Sequence, residues 1–238
     1  MGRWGVLAAA GVLAAVATLA GCGVGVGQTA RDGAALDGTV TGIRIDNQAG
    51  GVTVVGDGGA SLERTVTYRG ATAPGPSHRM EGGVLVLAGC GDNCGVDYTV
   101  HVPAGLPVTG RTRAGSLTLT QVGAVDVATD AGGITLDTVT GPARAWTSNG
   151  SITGRTLRDG DVLARTGNGE VRLGLVTPAN VRVETQNGDI TVTVPQAPYR
   201  VSAHTDLGQM SVRVPDVPGA DLALDLRTSV GDVVVSPA

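Results

Sequence analysis

The sequence predicts an all-β fold, a single-stranded β-solenoid with coils of about 19 residues, and three observations predict it. Glycine recurs at Gly115, Gly132, Gly150, Gly169, Gly188, Gly208 and Gly231, at intervals of 17, 18, 19, 19, 20 and 23 residues. A threonine stands three positions before each of them, at Thr112, Thr129, Thr147, Thr166, Thr185, Thr205 and Thr228. On both sides of these corners apolar residues alternate, as in Val181 and Val183 before Gly188 and Ile190 and Val192 after it. Period 2 on either side of a four-residue corner describes two short strands that share an inward face. Neighbouring copies stacked about 4.8 Å apart would pair each strand with its equivalent and bury a continuous apolar column.

Composition agrees with this reading. The chain has 238 residues, 42% hydrophobic and 16% charged, enough for one large domain. Its 39 glycines and 11 prolines stand beside abundant Val, Leu and Ile, which excludes disorder and collagen. Phenylalanine is absent and aromatics make up 2%, so the core is built from small and β-branched aliphatics. All 17 basic residues are Arg and the net charge is -4, which leaves no basic excess for a nucleic acid partner.

Residues 1–21 read as a leader: Arg3 precedes an apolar run from Gly5 to Val16 that is too short to span a bilayer. The run leads into Leu19, Ala20, Gly21 and Cys22, which resembles the lipobox of bacterial lipoproteins. The resemblance implies cleavage before Cys22, acylation of Cys22, and attachment to the outer face of the bacterial cell membrane. Several acyl chains on one residue anchor stably where one binds marginally. Residues 22–39 then read as a Gly-rich tether.

The β-strand-repeat domain is expected over residues 40–236. Its first copy lies at Gly50, where Asn47 takes the place of Thr, and residues 55–107 read as an irregular insertion. Within that insertion Cys90 and Cys94 are four positions apart in an exported chain, which predicts a disulfide that pins one turn. A metal site with Asp92, Asp97 and His101 is the weaker reading, since no second Cys or His pair accompanies the thiols. Asn47 and the seven Thr are expected to form a ladder that satisfies turn amides, with Gly supplying the positive φ of the corner. Seven places after Gly, Val122, Val139, Leu157 and Val176 suggest a third inward side. The rival fold is an antiparallel meander, because Asn149-Gly150, Asn168-Gly169 and Asn187-Gly188 are also hairpin signals.

Residues 96–105, Val-Asp-Tyr-Thr-Val-His-Val-Pro-Ala-Gly, followed by the tandem Thr-x-x-Gly copies, resemble the bacterial putative-adhesin family of β-strand-repeat domains. The resemblance implies a right-handed β-solenoid in the cell envelope with an adhesive or scaffolding role. It supplies no catalytic residues and no cofactor.

Two outward columns follow from stacking. One reads Asp46, Arg111, Ala128, Trp146, Arg165, Glu184, His204 and Arg227, in which Arg165 and Glu184 are expected to pair. The other reads Thr53, Thr118, Thr135, Thr153, Arg172, Thr191, Ser211 and Val234. The function expected is a non-enzymatic envelope lipoprotein that presents this surface for adhesion, scaffolding or binding to an envelope protein or glycan. The alternative is a polysaccharide lyase or hydrolase on a β-helix. Such an enzyme needs carboxylates that converge in a cleft, and three acids in one groove would favour it. No catalytic residue and no metal ligand is assigned.

Overall fold

The computed structural model describes residues 27–238, and these are all-β, without helix. The expected leader and Cys22 lie outside the described residues. In chain order the strands are β1 (Gln28–Ala35), β2 (Gly42–Ala49), β3 (Val52–Val55), β4 (Ser61–Tyr68), β5 (His78–Glu81), β6 (Val84–Ala88) and β7 (Cys94–His101). They continue as β8 (Val108–Ala114), β9 (Leu117–Val122), β10 (Val125–Ala131), β11 (Ile134–Thr140), β12 (Ala143–Asn149), β13 (Ile152–Arg158) and β14 (Val162–Asn168). The last are β15 (Val171–Leu175), β16 (Val181–Asn187), β17 (Ile190–Val194), β18 (Tyr199–Leu207), β19 (Met210–Val212), β20 (Leu222–Val230) and β21 (Val233–Pro237).

Two mostly parallel sheets result. One has 11 strands in the order β1-β4-β7-β3-β9-β11-β13-β15-β17-β21-β19, the other 10 in the order β18-β20-β16-β14-β12-β10-β8-β2-β6-β5. Each coil gives one strand to each sheet, a β-helix-like repeat. The register follows the repeat: Val125, Val127 and Thr129 lie beside Val108, Gly110 and Thr112 on one side and Ala143, Ala145 and Thr147 on the other. The meander is therefore not formed, and each Asn-Gly marks a passage between sheets.

One apolar column fills the space between the sheets, including Val125, Ala143, Val162, Val181 and Leu224 from one side and Ile134, Ile152, Val171, Ile190 and Val233 from the other, all buried. The third inward side is only partly as expected. Val122, Val139 and Leu157 are buried, each preceded by a left-handed residue, Gln121, Thr138 or Thr156, that resets the alternation. The Gly169 coil lacks such a residue, so Leu175 points in and Val176 is 50% exposed.

Three further expectations are corrected. Residues 28–35 of the expected tether form β1, which pairs antiparallel with β4. With a single neighbour and little inward apolar content, it carried no periodic signal. The supposedly irregular residues 55–107 contain a coil of their own: β6 and β7 pair in parallel with β2 and β3 and lie outside them in the stack. The coils also do not stack in chain order at the C-terminal end. β20 and β21 lie between the β16–β17 coil and the β18–β19 coil, so the Gly188 coil neighbours Gly231 and not Gly208. Residues 213–221 cross back over the end to allow this, and they account for the longest glycine interval.

Candidate functional site

The Thr-x-x-Gly corner is built by two constraints on one glycine. At Gly150 φ is +154°, and a Cβ there would lie 2.0 Å from the carbonyl oxygen of Gly132 in the neighbouring coil. Only glycine meets both demands. The threonines are buried beside these corners, apart from half-buried Thr205. Their hydroxyls donate to the neighbouring corner carbonyls: Thr129 to Gly115 O (2.9 Å), Thr147 to Gly132 O (3.0 Å), Thr166 to Gly150 O (2.8 Å) and Thr185 to Gly169 O (3.2 Å). Thr228 donates to Gly188 O (2.9 Å), Thr205 to Gly231 O (2.8 Å), and Thr112 reaches Gly50 O at 3.5 Å. Asn47 Nδ2 donates to Val96 O at 2.9 Å and Gly50 O at 3.1 Å.

The ladder thus serves carbonyls, not the turn amides that the sequence reading assigned to it. At four corners the amide one position after the glycine, that of Gly51, Gly133, Gln209 or Asp232, is taken by a side chain of the neighbouring coil. Gly51 N–H donates to Asp97 Oδ1 (2.7 Å) and Asp232 N–H to Asp189 Oδ1 (2.8 Å). Asp97 is thereby occupied in the backbone framework.

Cys90 and Cys94 are disulfide-bonded, with Cα atoms 5.9 Å apart. They close the corner of the β6–β7 coil. There seven residues (89–95) join positions aligned with Asp46 and Gly50, which three residues (47–49) join in the next coil. This longer corner explains why the coil carries no Thr-x-x-Gly signature. His101 does not approach the thiols' partners; its Nδ1 lies 2.7 Å from Asp57 Oδ2, and the imidazole helps hold the Asp57 carboxyl below its usual range. Among the described residues no three His, Cys, Asp or Glu side chains gather as a cation site.

The sequence reading missed Arg64. Its side chain is 3% exposed inside the N-terminal end of the stack, where it meets the Asp32 carboxylate, with Nε at 2.9 Å from Oδ1 and Nη2 at 2.5 Å from Oδ2. Its Nη1 donates to Gly75 O (2.6 Å) and Ser77 Oγ (3.0 Å). Ser77 in turn contacts the Tyr98 hydroxyl, which donates to Ala88 O at 2.7 Å. Burial raises the Tyr98 hydroxyl's pKa and lowers that of His78, where the Arg64 charge adds to the effect. The signal was legible: Leu62, Arg64, Val66 and Tyr68 share one strand phase, and a cation in an inward phase requires buried partners.

The outer face of the 10-stranded sheet carries the most varied chemistry. Trp146, Arg165, Glu184, Arg227 and His204 lie side by side on successive strands, the last two exchanged relative to chain order. Trp146 is 43% exposed. Arg165 pairs with Glu184 at 2.7 Å, as the register predicts, and Arg182 also reaches Glu184 at 2.5 Å. Burial opposes the charge on Glu184, but Arg182 and Arg165 outweigh it and hold the carboxyl below the usual range. Asp225 is held by Arg227 at 3.0 Å. Alongside runs an amide ladder, Asn187 to Asn168 (2.9 Å) and Asn168 to Asn149 (3.0 Å). Trp146, Arg165, Glu184, Arg227 and His204, with Asn149 and Asn168, line an open depression of about 810 Å³ with two acids, Glu184 and Asp206, in its wall. A second, of about 520 Å³, also has two, Asp161 and Asp225, among four arginines.

On the opposite sheet the threonine row is longer than the sequence suggests. Thr99 of β7 joins Thr53, Thr118, Thr135 and Thr153 on adjacent strands before Arg172 interrupts it.

No family model and no curated protein matches the chain. Two solved structures are similar in part. One is described as a putative cell adhesion protein from Clostridium sporogenes ATCC 15579, at 10% identity and a TM-score of 0.39, covering 89% of this chain and 100% of that one. The other is described as a putative adhesin from Bacteroides fragilis NCTC 9343, at 12% identity and a TM-score of 0.42, covering 89% and 97%. At these values the likeness carries no functional weight.

Proposed function

We propose that the protein is a non-enzymatic lipoprotein of the bacterial cell envelope, held by acylated Cys22, that presents a right-handed β-solenoid as a binding surface. The observation that carries this reading is the state of the carboxylates around Trp146. Of the two acids lining the Trp146 depression, Glu184 is engaged by Arg165 and Arg182 and Asp206 by His204, while Asp225 in the neighbouring depression is held by Arg227. Hydrolysis of a glycan by acid and base needs two carboxyls aimed at one bond. A flat face with one exposed indole, guanidiniums and stacked amides instead offers stacking and hydrogen bonding to an envelope protein or glycan.

The test is retention of the purified full chain on isolated envelope material. Trp146→Ala should lower retention at least tenfold with an unchanged melting temperature. Unaltered retention, or release of reducing ends from the glycan fraction, would reject the reading. For the anchor, Cys22→Ser should leave a chain that partitions into water and carries no acyl mass. A wild-type chain without acyl mass would refute the anchor alone.

A further inference from the structure

At the C-terminal end of the stack β18 and β19 have no neighbouring strand on their outer edges among the described residues. Parallel ladders send alternate residues to opposite sides. Val201 N–H faces outward to Asp216 and Val233 N–H reaches back to Gln209 O. The same alternation turns the N–H and C=O groups of Ala203, Thr205, Met210 and Val212 away from the stack. Two side chains aligned with the buried Val233 and Val235 are uncovered here, Met210 at 55% and Val212 at 40% exposure, and Leu207, at a corner position that is exposed in the other coils too, adds an apolar side chain 68% exposed. The start of β18 is closed by the returning chain, where Val217 N–H donates to Tyr199 O at 2.8 Å and Asp216 Oδ1 accepts from Val201 N–H at 2.9 Å. The bare edge therefore runs from Ala203 around Gly208 to Val212.

We propose that a second copy of this chain occupies that edge, joined end to end about a two-fold axis, with β18 pairing antiparallel to its counterpart around Thr205. The free length selects this register. It sets Thr205 against Thr205 and Ala203 against Leu207, whereas centring on Ala203 would drive Leu207 of the second copy into Asp216 and Val217. Side-chain chemistry agrees with it. Centring on Thr205 places His204 opposite Asp206 of the second copy, twice by symmetry, and these side chains are already 3.0 Å apart within one copy. An axis perpendicular to the sheets reverses both edges at once, so β19 also meets its counterpart, and Met210, Val212 and Leu207 lose their exposure to water. Such an interface is isologous and closed, and it produces a dimer. Head-to-tail growth is disfavoured because, among the described residues, the opposite end terminates in antiparallel β1 and β5, which carry Arg31, Asp32, Arg79 and Glu81.

Sedimentation of the full chain in density-matched detergent tests this. The wild type should sediment as a dimer at micromolar concentration. Leu207→Lys/Met210→Lys, at exposed positions, should be monomeric with an unchanged melting temperature. His204→Asp should weaken association at least tenfold by opposing two carboxylates, and His204→Asp/Asp206→His should restore it. Hydrogen exchange of wild-type Thr205 and Met210 amides supplies a readout free of mutation, with protection that disappears on dilution. A monomer up to about 100 μM, or a dimer that survives Leu207→Lys/Met210→Lys, would overturn the proposal.

Discussion

The first coil of the stack is covered by antiparallel strands β1, β4 and β5, a buried guanidinium and a disulfide-closed corner, while the last is left with two bare strand edges. The coils between them are nearly interchangeable, each locked to the next by a Thr–Gly hydrogen bond and an apolar layer. The contrast teaches that a repeat of this kind carries no instruction for stopping. Termination has to be encoded in residues outside the pattern, and among the described residues these stand at one end only. An open edge is a template for another chain unless something blunts it.

The largest expected effect lies between the ends. Ile190 is fully buried, and Ile190→Asp would place an unpartnered carboxylate in the column, at a cost of several kcal/mol, comparable to a domain's stability. Thr191, the next residue and half-exposed, should tolerate Asp at under about 1 kcal/mol. Hydrogen exchange on Ile190→Asp should show protection lost first in the coils of Gly169 and Gly231, and then in the bare C-terminal end before the covered one. Loss beginning in β1 and β4 would mean that the two ends are not energetically distinct.

The covered end is tested by Arg64→Met. It removes a buried cation whose carboxylate partner, Asp32, is half-exposed and can regain water, so a loss of about 3 kcal/mol is expected, at the lower end for a broken buried pair. Chemical denaturation should register it, with exchange rising in β1 and residues 74–78 and not beyond β9. A loss below about 0.5 kcal/mol would show that the guanidinium does not secure this end.

The smallest effect belongs to the charged face near the open end. Glu184→Gln should cost under about 1 kcal/mol at neutral pH. Because the folded-state carboxyl titrates below its ordinary range, the contribution of Glu184 is present above that range and fades as pH falls through the lowered value. The difference between wild type and Glu184→Gln should therefore vanish in acid. A difference that grows in acid would contradict the pairing with Arg165 and Arg182.

The sequence displayed the interior of the stack and concealed its ends. Thr129, Gly132, Ile134 and their equivalents recur because every inner coil has the same neighbours, and recurrence is what periodicity detects. Residues with unique neighbours leave no such trace, which is why β1, the β6–β7 coil and Arg64 passed as tether and insertion. The hydrogen-bond polarity of the ladder was equally hidden, since a hydroxyl can donate or accept. The Trp146 face was legible as a column, but its true order, with Arg227 ahead of His204, depends on a rearrangement that only the 23-residue interval hinted at.

That rearrangement bears on how the chain is made. Synthesis delivers residues 199–212 before residues 222–237, yet the later segment supplies the strands of the described chain against which the earlier one pairs. Until residues 222–237 have emerged, β18 and β19 have either no permanent partner or the temporary one of β16 and β17, from which they must be displaced. The stack cannot be finished by adding coils in the order of their emergence. Its last strands enter as a wedge, and a stop codon after residue 221 would take away the layer beneath the tip and leave the tip unsupported.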